Sequence, residues 1–341
     1  MGTGWQATEI PLGEDEEGPL VATLVRADPD DPRVADRRRA AADRTTARSP
    51  AVLYVHGYND YFFQAHLAEA WEEHGYTFYA LDLRRCGRSI RPWQTPHFTT
   101  RLSEYAAELG VATTLLTEEL RHDRLVVNGH STGGLTTSLW LSEGRDEGRV
   151  AALVLTSPWF DLNASWFHRV PATRLLDRAP IDPRRIVEDS PSPYSWHLHA
   201  DHGGRWTYDR DLKPPEGFPV RAGWLRAIRR GHAQLATGLG IELPTLVCTA
   251  DASGPNTWDN PDLDAQDTIL DVDQIAARAP RVGPDVTLVR IAGGVHDLSL
   301  SAPGPRAEFF STVFSWLARR LDGRDVIPGP GHPVGSTDGA R

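Results

Sequence analysis

Two runs in which apolar and polar residues alternate open the chain, at 5–12 and 20–27, with a Gly/Glu/Asp turn between them. That spacing predicts an antiparallel hairpin. Residues 28–49 break the pattern: Asp-Pro-Asp-Asp-Pro, then Arg37-Arg38-Arg39, then Ala, Thr and Ser. This composition predicts an exposed, mobile insertion. From residue 51 short runs rich in β-branched and aliphatic residues recur at 51–55, 77–81, 125–128, 150–156, 245–249 and 286–291. Between and after them, apolar residues fall at helical spacing over 63–74, 102–120, 132–142, 224–236, 273–279 and 306–321. Apolar strands that alternate with amphipathic helices predict a mostly parallel central sheet with helices on both faces.

The alternation lapses once, over 158–220, where Pro, Trp, His and Arg are dense and no period holds. A segment of this length inside an α/β pattern is expected to be an inserted cap or lid over the carboxyl ends of the strands. The expected organisation is a core in two parts, 1–157 and 221–321, the cap at 158–220, and a Gly/Pro-rich disordered tail at 322–341.

Charge and composition narrow the function. The 341 residues carry 36 basic and 46 acidic side chains, a net of -10, which argues against nucleic acid or an anionic membrane as the main partner. No stretch approaches eighteen apolar residues, so no integral membrane segment is expected. The start, Met1-Gly2-Thr3-Gly4-Trp5, lacks a basic region followed by an apolar run, and a cytoplasmic location is expected. Cys86 and Cys248 are the only cysteines, and they read as small apolar residues rather than as a disulfide or zinc pair.

Three segments at strand ends carry chemistry. Gly129-His130-Ser131-Thr132-Gly133 sits between a strand and a helix. A G-x-S-x-G at such a turn holds the serine in a strained conformation, with its hydroxyl projecting above the sheet, and glycines on either side prevent collision. Val55-His56-Gly57-Tyr58 ends the first core strand. There Gly57 lets the chain pass close to Ser131, so that the amides of Tyr58 and Thr132 can face a developing oxyanion. His56 reads as a buried structural residue. Gly293-Gly294-Val295-His296 follows the last strand, which is where the base belongs in the chain order serine, acid, histidine. For the acid, Asp251 at the end of the strand 245–249 is expected, with Asp271 as the alternative. Asp259, Asp262, Asp264 and Asp267 read as solvated, and Asp297 as a residue that holds its loop.

In the cap, Trp159, Phe160, Trp166, Trp196 and Trp206 are candidate substrate-binding residues, because aromatic rings make large, rigid apolar walls. His197, His199 and His202 have the spacing of metal ligands but no matching carboxylates, and neither a metal nor a cofactor is expected.

From 51 to 321 these segments resemble the α/β-hydrolase superfamily, and within it the monoacylglycerol lipase/lysophospholipase group, a serine aminopeptidase-like group. The resemblance rests on Val55-His56-Gly57-Tyr58-Asn59-Asp60, Leu81-Asp82-Leu83-Arg84-Arg85-Cys86-Gly87-Arg88-Ser89, Gly129-His130-Ser131-Thr132-Gly133 and Gly294-Val295-His296-Asp297. It implies the α/β-hydrolase fold with an inserted cap, a triad of Ser131, Asp251 and His296, and oxyanion donors at Tyr58 and Thr132. Two departures stand out. Arg85 and Cys86 replace the usual glycine-containing middle of the loop after the second core strand, and the cap matches no lipase cap.

The expected activity is cleavage of a small-molecule carboxylic ester, a hydrophobic monoester like a monoacylglycerol or lysophospholipid, through an acyl-enzyme on Ser131. The alternatives are acyl transfer or carbon–carbon bond hydrolysis on the same triad, or a non-catalytic ligand-binding homologue. The oligomeric state is not legible.

Overall fold

The structure is a computed structural model that describes residues 4–41, 44–146, 148–162 and 181–323. Its centre is an eight-stranded sheet in the order β1-β2-β4-β3-β5-β6-β9-β10. The strands are β1 (Trp5–Asp15), β2 (Gly18–Ala27), β3 (Pro50–Val55), β4 (Thr77–Asp82), β5 (Arg124–His130), β6 (Val150–Thr156), β9 (Thr245–Ala250) and β10 (Val286–Ile291). The predicted hairpin forms one antiparallel edge, β1 on β2 and β2 on β4, and every pairing beyond β4 is parallel. This is the α/β-hydrolase fold that the sequence led us to expect.

The period of two along each inner strand sorts side chains to opposite faces. In β3, Leu53 and Val55 point into one core layer and Val52 and Tyr54 into the other; Leu153 and Leu155 against Ala152 and Val154 do the same in β6. The first layer is covered by α3 (Ala106–Thr114), α4 (Thr132–Ser142), α6 (Ala222–Ala236) and α7 (Val272–Arg278). The second is covered by α2 (Ala65–Glu73) and α8 (Pro303–Asp322), which contribute Leu67, Trp71, Phe309, Val313 and Phe314. Helix α4 is buried all round, from Thr132 to Leu141. Glycines and small residues let it lie directly on the sheet, and a Cβ on Gly133 would sit 2.4 Å from the carbonyl oxygens of Val55 and His56.

Two local expectations need correcting. Residues 28–49 are not a mobile insertion throughout. Helix α1 (Pro32–Ala40) starts on the Asp31 side chain, which accepts from the Arg33 amide, with Pro32 in the first turn. Within its arginine run Arg37 is not solvated: it donates to the Glu72 carboxylate of α2 at 2.9 Å, and that carboxylate has no solvent exposure, whereas Arg39 is exposed. Burial without a partner would be costly, so the ion pair draws the segment onto the core. The predicted helix 102–120 is also subdivided, into a 3₁₀ turn (Leu102–Tyr105), α3, and a π turn (Leu115–Glu119).

Between β6 and α6 the described part of the insertion holds a short antiparallel pair, β7 (Ile186–Glu188) with β8 (Val220–Arg221), and α5 (Pro193–Leu198). Most of the expected tail, 324–341, lies outside the described residues.

Candidate active site

β5 ends at His130, and α4 begins at Thr132. Ser131 between them has φ 53° and ψ −119°, a conformation that costs a non-glycine residue about 1–3 kcal/mol. The neighbours hold it there. Its amide donates to the Thr156 carbonyl at 3.0 Å, and its own carbonyl accepts from Gly134 and Trp159, each at 3.0 Å. A side chain on Gly129 would meet Thr137 Oγ1 at 2.6 Å and Gly134 Cα at 2.8 Å, so the turn can close only on glycine.

His296 lies on the loop after β10. Its Nε2 is 3.0 Å from Ser131 Oγ, and its Nδ1 is 2.9 Å from Asp267 Oδ2. All three side chains are buried, Asp267 completely. The other Asp267 oxygen accepts the amides of Ile269 at 2.9 Å and Leu270 at 2.8 Å. That leaves Oδ2 for the imidazole, fixes Nδ1–H as the donor, and presents Nε2 as an acceptor to the serine hydroxyl.

The expected acid is therefore corrected. Asp251 is exposed, and its carboxylate accepts the Gly293 amide at 3.1 Å, not the imidazole. The alternative, Asp271, caps α7 by accepting the amides of Asp273 and Gln274. The physical reason is the path of the chain after β9. It leaves the strand at Asp251, makes a surface excursion, and returns so that Asp267 bonds Ala252 and Gly254 through its backbone. The carboxylate that reaches His296 is thus the one at the end of the excursion. A signal was available: Asp267 is the last acid before the chain re-enters the apolar run Ile269-Leu270.

The two residues expected as oxyanion donors, Tyr58 and Thr132, both adjoin segments that touch Ser131. A Cβ on Gly57 would sit 2.9 Å from Ser131 Cβ, so the loop that carries the Tyr58 amide grazes the serine. Thr132 is the first residue of α4, where amides have no intrahelical acceptor. His56 stays structural: its Nε2 accepts the Leu83 amide at 3.1 Å, which leaves Nδ1–H to donate to the Gly57 carbonyl at 2.7 Å.

Ser131 and His296 open onto a cavity of about 220 Å³, bounded by core loops and by the insertion. Of the aromatic candidates, Trp159 lines it. Phe160, Trp196 and Trp206 do not, and are corrected as substrate contacts. Phe160 is core, Trp196 packs on His202 with rings 4.0 Å apart, and Trp206 donates to the Leu300 carbonyl at 2.9 Å while stacking on His66. Trp206 thus ties the irregular segment to the body, and Trp196 packs within the segment. Trp166 lies outside the described residues. The aromatic wall comes instead from Tyr58, Trp159, Tyr194, Phe218 and Trp224; sequence reading placed Trp224 in a helix and gave it no role. The cap histidines are engaged separately, His197 with Asp264 at 3.3 Å and His199 with Asp201 at 3.5 Å.

Beside the serine lies a buried charged group. Lys213 Nζ donates to Asp60 Oδ1 at 2.8 Å, and Asp60 Oδ2 lies 3.7 Å from His130 Nδ1, an electrostatic contact too long for a hydrogen bond. Burial pushes the Asp60 carboxyl up, but the Lys213 ammonium and His130 outweigh it and hold it far below the usual carboxylate range. Burial pushes His130 down, and the Asp297 and Asp60 carboxylates more than offset this, so it is raised. Asp60, His130 and Asp297 could in principle converge on a cation. The ammonium on Asp60, with the Gln64 and Ser299 donors on Asp297, argues that protein groups already satisfy these carboxylates. Asp297 thus holds its loop, as its position suggested.

The family described as "Serine aminopeptidase, S33" matches residues 46–254. Among solved structures, the fold is similar to a soluble variant of monoglyceride lipase from Saccharomyces cerevisiae, with a TM-score of 0.68 at 15% identity over 94% of this chain and 97% of that one. It is also similar to the Paleococcus ferrophilus monoacylglycerol lipase, at 0.58 and 16% identity over 92% and 99%. Est1E from Butyrivibrio proteoclasticus, solved with ferulic acid bound, aligns at 0.56 and 15% identity over 92% and 99%. No curated protein matches the chain.

Proposed function

This chain belongs to the serine aminopeptidase S33 family of α/β hydrolases, and we propose that it cleaves a hydrophobic carboxylic monoester through an acyl-enzyme on Ser131. The observation that carries this reading is the continuous relay from Ser131 Oγ to His296 to Asp267, with separations of 3.0 and 2.9 Å, at the wall of a largely apolar cavity.

In the proposed cycle His296 Nε2 takes the hydroxyl proton as Ser131 Oγ attacks the ester carbonyl. Asp267 stabilises the imidazolium, and the amides of Tyr58 and Thr132 receive the oxyanion. The imidazolium then protonates the departing alkoxide, and a water activated by the same ring releases the acid. An ester fits the cavity better than a peptide with a free amine. Asp60 and Asp297 are committed to Lys213 and to Gln64 and Ser299, and so are not free to meet a substrate ammonium. The walls supplied by Trp159, Phe218, Trp224, Ile269 and Leu270 suit a monoacylglycerol- or lysophospholipid-like acyl group.

The test uses purified protein with p-nitrophenyl esters of graded acyl length, an aminoacyl p-nitroanilide as control, and a fluorophosphonate probe. The expected result is ester turnover, a probe adduct on Ser131, and loss of both in Ser131→Ala. Turnover retained in that variant sinks the mechanism, and an absent adduct points to a non-catalytic pocket. Turnover of the anilide would move the reading toward the peptidases, with Glu188 on the cavity wall as the next residue to substitute. Product analysis with added alcohol separates hydrolysis from acyl transfer.

A further inference from the structure

The 36 basic residues of the chain include one lysine, Lys213. It lies in the insertion, is 7% exposed, and lines the cavity. Arginine serves at every other basic position, so the chemistry particular to lysine is the place to look. A guanidinium brings five donors in a rigid fork, whereas an ammonium is a compact charge on a flexible stem. At this site one carboxylate oxygen is 2.8 Å away, and the faces of Phe63 and Tyr208 lie 5.5 and 5.8 Å from Nζ. That enclosure suits a point charge and would leave guanidinium donors unsatisfied.

The partner, Asp60, is two residues beyond Tyr58, whose amide is the proposed second oxyanion donor. The residue between them, Asn59, has φ 51° and sits in the left-handed region, which marks a tight bend in the loop between the two. The Tyr58 ring packs on Trp224 and His97, and the polar restraint comes from a single stretch of the insertion. Lys213 holds Asp60, while Phe218 and Pro219 accept from the Tyr58 hydroxyl at 3.2 and 2.9 Å. The side of Asp60 away from the insertion faces His130, the residue before the nucleophile, with His56 acting from farther off. Asp60 thus stands between the cap and the elbow.

We propose that Lys213 is a positioning residue: through Asp60 it fixes the loop that aims the Tyr58 amide, so that the oxyanion site is complete only while this part of the cap is seated. The inference rests on the acyl-enzyme reading above. Without Lys213, the buried carboxylate loses its ammonium partner, is left facing His130, and turns toward it or takes up a proton. Either way, the loop loses its anchor to the insertion.

The experiment compares wild type, Lys213→Met and the double variant Asp60→Asn/Lys213→Met. It reads melting temperature, the kcat and KM of p-nitrophenyl ester turnover, and the rate of fluorophosphonate labelling, because the phosphoryl oxygen uses the same donors. Loss of a whole oxyanion donor costs about 10²–10³ in rate, so a misaimed one is expected to lower kcat and labelling by about 10- to 100-fold, with KM within about threefold. The double variant removes the stranded charge. It is expected to recover the melting temperature while kcat stays low, whereas a purely structural role predicts recovery of both. Full recovery of kcat in the double variant overturns the proposal, as does a folded Lys213→Met that keeps wild-type kcat and labelling. If Lys213→Met does not fold, the double variant decides alone. Failure of the wild type itself to label removes the acyl-enzyme reading, and this inference with it.

Discussion

Replacing Asp267 with asparagine tests the catalytic assignment most sharply, because the structure dictates how the new side chain must sit. Asp267 Oδ1 accepts two backbone amides, from Ile269 and Leu270, at 2.9 and 2.8 Å. An asparagine keeps both bonds only if its carbonyl oxygen takes that place. Its NH₂ group is then forced toward His296 Nδ1, where the carboxylate oxygen stood at 2.9 Å. A donor there makes Nδ1 the acceptor and moves the ring hydrogen to Nε2. That nitrogen then offers Ser131 a hydrogen instead of a lone pair, and the general base is lost while the fold and cavity persist. The wrong tautomer in a serine triad costs about 10⁴ in kcat, or about 5.5 kcal/mol of transition-state stabilisation. The matched control is Asp251→Ala, which removes only an acceptor for the exposed Gly293 amide and is expected to change kcat by less than about threefold, a surface-type effect. Both variants are assayed for kcat on a p-nitrophenyl ester, with the melting temperature as a check on folding. Asp267→Asn within tenfold of wild type, or a large loss confined to Asp251→Ala, refutes the tautomer argument.

Two further predictions concern stability. Gly133→Ala is expected to cost about 1–3 kcal/mol or more, because its Cβ would sit 2.4 Å from two backbone carbonyl oxygens; Gly110→Ala in α3 meets nothing within 4 Å and should be neutral or stabilising by up to about 1 kcal/mol. Urea denaturation of the pair checks this, and equal midpoints would contradict it. Acid sensitivity follows from two enclosed imidazoles, since burial lowers His97 to about 3 and His232 to about 4. Both are held neutral in the native chain but take up protons near pH 6.5 when unfolded, so stability falls as the pH drops through 6.5 and continues to fall toward the native values. By pH 5 the loss is about 2 kcal/mol for each, partly offset by His130, whose raised value gives the opposite sign. In His232→Gln, the fall in melting temperature between pH 7 and pH 5 should be visibly shallower; an unchanged slope counts against the linkage.

The sheet was readable from sequence because its inner strands are mostly apolar and helices such as α6 carry their period plainly, although α4, buried all round, does not. The approach of His296 to Ser131 was readable because strand ends and glycines mark both segments. Asp267 was not. Strand-end logic assigns the acid to the residue that follows β9, but the chain is free to leave the sheet and come back, and the place of Asp267 just before the apolar run Ile269-Leu270 is the one local mark that sets it apart from the other aspartates of the excursion. Arg37 of α1 was hard to place for a related reason: a charge run looks solvated until a buried carboxylate such as Glu72 is found opposite one member of it, while Arg39 in the same run is exposed.

The insertion was the least legible region, and the reason bears on function. Its aromatics serve two purposes that composition cannot separate. Trp206 fastens the segment to the body and Trp196 packs within it on His202, while Trp159 and Phe218 face the cavity. The polar ties are equally indirect, a tyrosine hydroxyl to two carbonyls and a lone lysine to one carboxylate. Yet these ties end on Tyr58 and Asp60, the loop that abuts the nucleophile. In this chain the segment with the weakest periodicity is therefore coupled to the residues with the strictest geometric demands. Changes in the insertion are then expected to alter turnover as well as substrate choice, because the wall of the cavity and the support of the oxyanion loop are built from the same stretch of chain.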